Sequence, residues 1–415
     1  MKALAYLLLL MAAPAMAQNF GKSEKSRIID SVSRKLRTLY VYPEVAEKMA
    51  KQLYTNNGNG QYENIKDPVA FADRLTTDLI GVSHDKHLRV YFDPRPVEKH
   101  PVMEDNPEVS RAKNFGFKEL KILDGNIGYL NLSYFEDPGK GGATAAAAMS
   151  FLSNADAVII DLRNNGGGST DMVQLLASYF FEGEPRPLTD IYWRPTNSLV
   201  QYKTLPYVQG KQLPKAAIYL LTSQRTFSAA EDFSYSLQNL KRVTIIGETT
   251  GGGAHPVEQV ELSEHFFIIV PEGRSISSIT KTDWEGTGVK PDFEVAAKDA
   301  LLTAHLKVLS KAAADNFPAQ WALMDIKAKI NPVALSEESL KAYTGTYGER
   351  VISLENGQLY YAKAGGAKSR LIPMDKDLFS MEDKDYLRIR FERKNGEITA
   401  FTRLFEDGSA EVSSK

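Results

Sequence analysis

The stretch AVIIDLRNNGGGST, residues 157–170, constrains this chain more than any other. Four apolar residues, 157–160, read as a buried strand, and Met172, Val173, Leu176 and Phe180 recur at helical spacing just beyond. Gly166, Gly167 and Gly168 therefore fall at a strand-to-helix turn. Glycine there permits positive φ and lets other atoms approach the main chain, and amides at a helix start point toward negative charge. The turn predicts an anion cradle or an oxyanion hole.

The chain begins with Lys2, an apolar run over residues 4–13, Pro14 and then Ala15-Met16-Ala17. This is the pattern of a secretory signal peptide, since a membrane span needs about 20 apolar residues. Cleavage is expected after Ala17, giving a signal peptide over 1–17 and a protein exported across the inner membrane to the periplasm. The chain has no Cys, so stability must come from buried cores rather than disulfides. Its 415 residues, 43% of them hydrophobic, suffice for two or three domains. A net charge of −2 and the lack of a polybasic block argue against nucleic acid as a partner.

Along the chain, residues 23–80 carry apolar positions at helical spacing: Ile28, Ile29, Val32 and Leu36, then Val45, Met49 and Leu53, then Val69, Ala72, Leu75 and Leu79. They predict a helical domain that, with a following strand and a proline-containing linker, occupies 18–110. Between 111 and 330 strands alternate with helices, the mark of an α/β core with crossover connections. Asn356-Gly357, Asn395-Gly396 and Asp407-Gly408 each lie between strand-like residues, a strong hairpin signal. They predict a small antiparallel β domain over 335–415.

A second stretch, TSQRTFSAAEDFSYSLQNL over 222–240, repeats the logic of the first: a strand delivers a loop, and a helix begins after Ser228. A hydroxyl there gains from the positive end of the helix dipole if it becomes partly anionic. The plainer reading is a helix N-cap. The flanking Thr226 and Ala230 also depart from the Gly-x-Ser-x-Gly pattern of a nucleophile elbow.

Taken together, five segments resemble the carboxyl-terminal processing (tail-specific) protease family, in the branch of the tricorn core protease and interphotoreceptor retinoid-binding protein. They are the helical start ending in DKHLRV, the AVIIDLRNNGGG turn, TFSAAEDF, IIGETTGGGA and WEGTGVKPDFEV. The resemblance implies a crotonase-like α/β core with an N-terminal helical cap, and a nucleophile at Ser228. A serine–lysine dyad is excluded, because the segment that would hold the lysine reads Gly247-Glu-Thr-Thr-Gly-Gly-Gly-Ala254. The tricorn-like arrangement of serine, histidine and glutamate maps onto Ser228, His87 and Glu285.

Chemically that set is complete, since a hydroxyl needs a base and the base an orienting acceptor. His84 competes with His87, and His255 is an outsider. Two histidines three apart also invite a metal reading, which the lack of an HExxH or similar pattern argues against. Gly167 and Ala229 are the expected oxyanion donors, with Gly166 and Gly168 as near alternatives. Asp161 and Arg163 are expected to hold the loop in shape, and Glu231 and Glu248 receive no catalytic role. No metal or cofactor is expected.

The implied activity is an exported serine peptidase acting on peptides or unfolded polypeptides through an acyl-enzyme. A base near pH 6.5 would make activity fall off in acid. Only about 20 residues separate the helical part from the core, far too few for the peptide-binding PDZ domain found in many members. Two rivals remain: a non-catalytic peptide or hydrophobic-ligand binding protein on the same fold, and an esterase using the same triad.

Overall fold

The computed structural model describes residues 20–95, 107–314 and 316–415. The expected signal peptide and most of the expected linker lie outside the described residues. Two compact units emerge, and both are discontinuous in sequence.

The first unit takes in the chain up to Ser110, together with Pro187–Lys203 and Gly252–Gly288. Its helices are Lys22–Leu39, Pro43–Gly58 and Pro68–Ser83. Two of them begin with proline, whose missing N–H costs nothing in the first turn, and the Asp67 side chain caps the third by accepting the Ala70 N–H. The apolar faces that the spacing predicts, including Ile28, Val32, Leu36, Met49, Leu53 and Leu75, form one core with Phe266, Ile268 and Val270. Those last residues belong to a three-stranded sheet in which Phe266–Pro271 lies between Arg89–Phe92 and Val257–Glu261, antiparallel to both. A second sheet of this unit places Pro187–Trp193 between Gly273–Ser277 and Ser198–Lys203.

The second unit consists of Arg111–Arg186, Thr204–Gly251 and Val289–Lys415. Its six-stranded sheet runs in the order Phe293–Glu294, Val243–Gly247, Ala217–Thr222, Ala157–Asp161, Ile127–Leu132 and Phe117–Leu123. All neighbours are parallel except the last pair. Ala157–Asp161 is buried throughout, as a central parallel strand must be. One face of the sheet packs on helices Ala300–Ala312 and Phe317–Ile330 through Ile127, Ile159, Leu221, Ala304 and Ala322. The second of these helices was not anticipated, although Asn316 caps it and Pro318 lies in its first turn.

The end of the chain is an eight-stranded antiparallel meander from Gly345 to Ser414. Its turns at Asn356-Gly357 and Asn395-Gly396 have positive φ at both residues, the geometry that matches the right-handed twist of paired strands. Phe379, Ile389, Phe391 and Phe401 fill its core. The α/β content and the C-terminal antiparallel sheet are thus as expected.

Candidate active site

In the second unit, Asp161 ends its strand as the anchor of the glycine turn. Its carboxylate holds Arg163 through Nε at 2.8 Å and Nη2 at 2.6 Å, and accepts the Tyr129 hydroxyl at 2.8 Å. Arg163 Nη1 donates to the Ala297 carbonyl. Both groups are consumed in shaping the loop, as expected. Asn165, fully buried, donates to the Leu132 carbonyl, and its own carbonyl accepts the Phe227 N–H at 3.0 Å. That last bond ties the glycine turn to the residue before Ser228.

Ser228 precedes helix Ala229–Asn239 and has φ 54° and ψ −122°. A cap residue ordinarily lies in the extended region, so capping does not account for this backbone. A strained strand-to-helix turn does, even though the letters lack Gly-x-Ser-x-Gly. Gly167 lies against this turn: with φ 113°, an added Cβ would fall 2.7 Å from Ser228 Cβ and 3.1 Å from the Ala229 nitrogen. The two segments, about 60 residues apart in sequence, approach as closely as backbone allows.

One expectation changes here. The Gly167 N–H donates to Asn165 Oδ1 at 2.9 Å and is committed inside the turn. Among the described residues no acceptor is found for the N–H groups of Gly168 and Ala229. The second of these heads the helix, where an amide has no intrahelical partner.

Glu231 is fully buried and positions the serine. One of its oxygens accepts the Ser228 N–H at 2.9 Å, and the other accepts the Thr250 hydroxyl. Thr250 Oγ1 in turn accepts the Val289 N–H at 2.7 Å. The sequence reading passed over Glu231, although Ser-x-x-Glu at a helix start is the signature of such a reciprocal arrangement.

In the first unit, helix Pro68–Ser83 ends in an αL residue, His84, which is exposed and whose N–H caps the Ile80 carbonyl. Two histidines on one helix face are therefore excluded. His87 follows in a turn, its side chain only 9% exposed, with Nδ1 3.7 Å from Asp85 Oδ1. Its own N–H donates to the same oxygen at 3.0 Å. Burial pushes the imidazole down to about 4, against the pull of Asp85.

Sequence reasoning missed Asp85 and kept His255 only as an outsider. His255 is buried, with Nδ1 2.6 Å from Asp85 Oδ2 and 3.5 Å from Glu285 Oε2. Its Nε2 lies 3.5 Å from the Tyr42 hydroxyl. Burial works to lower the His255 pKa, but the Asp85 hydrogen bond and the charges of Asp85 and Glu285 outweigh it, and the net direction is up. Asp85 moves down, its burial overcome by His255 and His87.

Glu285 accepts the Ala254 N–H through Oε2, and burial raises it to about 7. The neighbouring Trp284 is buried and donates its indole N–H to the Gly253 carbonyl, fixing the loop that carries Glu285. One ligand atom each from Asp85, His87 and Glu285 lie within 4.8 Å of one another. A divalent ion would have to compete with His255 and Tyr40 for Asp85 Oδ2, and with Ala254 for Glu285 Oε2. The arrangement reads more readily as a proton-sharing cluster.

Residues 126–295 match the model of peptidase family S41, and residues 21–118 match the N-terminal domain of peptidase S41 in eukaryotic IRBP. Carboxyl-terminal-processing peptidase 1 of Arabidopsis thaliana chloroplasts is 23% identical over 189 residues, 45% of this chain and 37% of that protein. The tail-specific protease of Haemophilus influenzae is 31% identical over 104 residues, 24% of this chain and 13% of that one. Four of the curated relatives are covered over only 34–37% of their length. A candidate peptidase from Parabacteroides merdae, solved as a crystal structure, shares the fold at a TM-score of 0.50 and 19% identity, over 68% of this chain and 96% of that one. The chain thus carries an S41 core over residues 126–295, preceded by a domain of the IRBP type over residues 21–118.

Proposed function

We propose that the protein is an exported serine peptidase that cleaves peptides or unfolded polypeptides through an acyl-enzyme. Ser228 attacks the carbonyl carbon, His87 takes the hydroxyl proton and returns it to the leaving amine, and Glu285 orients the imidazolium. The tetrahedral oxygen is held by the amides of Ala229 and Gly168, with Gly167 allowing the close approach. The fold reading extends to a crotonase-like core and an N-terminal helical cap domain, and export rests on the leader-like sequence of residues 1–17.

The observation that carries the reading is the Ser228 backbone, strained at the head of a helix and backed by Gly167. A binding protein on the same fold has no need of that strain. The short His255–Asp85 contact favours a second reading of the base alone, in which His255 takes the place of His87.

Labelling with a fluorophosphonate probe tests both. Wild type should label, Ser228→Ala should not, and His87→Ala should label at least about 100-fold more slowly, as expected for loss of a general base. Undiminished labelling of Ser228→Ala overturns the nucleophile. Slow labelling of His255→Ala beside normal labelling of His87→Ala moves the base to His255. Turnover of a small ester with no cleavage of a peptide library would favour an esterase.

A further inference from the structure

His255 and Asp85 form a buried pair in the first unit that takes no part in the proposed proton transfers. The His255 side chain is 3% exposed and that of Asp85 1%, with Nδ1 2.6 Å from Oδ2. The same nitrogen lies 3.5 Å from Glu285 Oε2. One oxygen each of Asp85 and Glu285 come within 4.8 Å of each other and of a His87 nitrogen. Two carboxylates this close and this far from water ordinarily share one proton. A cation beside both lets both ionise.

The surroundings hold the ring in that place. Tyr42 packs edge-on against it at 5.5 Å between centroids, with its hydroxyl 3.5 Å from Nε2. Just before it in sequence, the Ala254 N–H donates to Glu285 Oε2, and the Gly286 N–H donates back to the Gly252 carbonyl at 3.1 Å. Asp85 in turn accepts the His87 N–H through Oδ1 at 3.0 Å, shaping the turn that carries that imidazole.

The charges facing the ring are mostly negative. Burial opposes a charge on His255, yet Asp85, Glu285 and Asp283 outweigh it. Tyr40 and Tyr42 are raised by burial and stay neutral, and the charge of Arg274 acts on the Tyr42 hydroxyl. His87 is the group whose protonation a charged His255 opposes. An imidazolium donates from both nitrogens and has no lone pair to take a proton from serine.

We infer that His255 is a positioning residue, a standing cation that keeps Asp85 and Glu285 both ionised and so fixes the turn of His87 and the acceptor of its imidazolium. The inference rests on the peptidase reading and deepens the roles that His87 and Glu285 have in it.

Two substitutions separate charge from shape. His255→Asn puts an amide nitrogen near the Nδ1 position, keeping a donor for Asp85 while removing the charge. His255→Lys restores a cation. Fluorophosphonate labelling rates are followed from pH 5 to 10 in full-length wild type and both variants, with urea unfolding as the folding control.

Wild-type labelling should rise through about pH 7, where Glu285 ionises. In His255→Asn the midpoint should move up by at least about one pH unit, the scale for losing a charge 3.5 Å from a partly buried carboxylate. His87, released from the same cation, shifts in the same direction. Above the midpoint the variant should label within about tenfold of wild type, and His255→Lys should bring the midpoint back toward its original value. A purely structural role moves stability and leaves the midpoint alone.

An unmoved midpoint in folded His255→Asn overturns the inference. So does a rate depressed about 100-fold at every pH, the mark of a lost general base. Should His255→Asn not fold, the imidazole nitrogen shifts of isotope-labelled wild type at pH 7 decide: two protonated nitrogens on His255 uphold the standing cation, and a neutral ring overturns it. The peptidase reading fails on a different result, a wild type that labels at no pH.

Discussion

At the scale of single residues, Gly167 carries the demand that bears directly on Ser228. Its φ of 113° and the 2.7 Å approach to Ser228 Cβ leave no room for any side chain. Gly166, next to it, has open space where a Cβ would go and no positive φ. Gly167→Ala is expected to lower the rate of fluorophosphonate labelling by at least about tenfold and to cost roughly 1–3 kcal/mol of stability from the strained backbone. Gly166→Ala should change both little. Equal behaviour of the two variants would show that Gly167 is an ordinary turn residue. The run of three glycines marked the place in the sequence but not which of them does what. That depends on residues 60 positions away, and on Asn165 taking up the Gly167 amide.

Among elements, what the sequence made legible was what its own neighbours decide. The two-residue hairpins after Glu355 and Lys394 are set by local turn chemistry, and they form where Asn-Gly stands. At Gly396, φ is 86° and nothing crowds an added Cβ, so the cost of a substitution there comes from the backbone alone. Gly396→Val should therefore destabilise by about 1–2 kcal/mol, read by urea unfolding, without altering labelling of Ser228. A variant as stable as wild type would mean that the turn tolerates another type.

By contrast, Phe266–Pro271 pairs with Arg89–Phe92, a partner more than 170 residues earlier, and no local period announces such a pairing. The same distance hid the Asp85–His255 contact. A polar side chain's partner across the chain is fixed by topology, and a motif letter carries no record of it.

For the molecule as a whole, the buried cluster of Asp85, His87, His255 and Glu285 ties stability to pH with opposing signs. The His87 pKa falls from 6.5 to about 4, so between those values the unfolded chain binds a proton that the folded one refuses, and stability drops as pH falls. Glu285 rises from 4.5 to about 7, so over that window the folded chain holds a proton that the unfolded one has lost, and stability grows as pH falls. The two opposing contributions, each worth up to roughly 3 kcal/mol, largely offset between about pH 4.5 and 6.5. Outside that range Asp85, shifted down, contributes stability that is lost as pH falls through its folded pKa below 3.8. His255, shifted up, contributes stability that is lost as pH rises through its folded pKa above 6.5.

Glu285→Gln separates the opposing contributions, because it removes a partly buried carboxylate that is ionised at pH 8 and neutral at pH 5. The variant should be more stable than wild type at pH 8, by up to roughly 3 kcal/mol, and nearly equal to it at pH 5, with urea unfolding at both values as the measure. Its labelling by fluorophosphonate at pH 8 should fall about 100-fold or more, as when the orienting acid of a triad loses its charge. Higher stability with lower activity in one substitution is what a strained catalytic carboxylate predicts and a structural one does not. A variant less stable than wild type at pH 8, with labelling intact, would make Glu285 a plain anchor of the Ala254 amide and remove it from the triad.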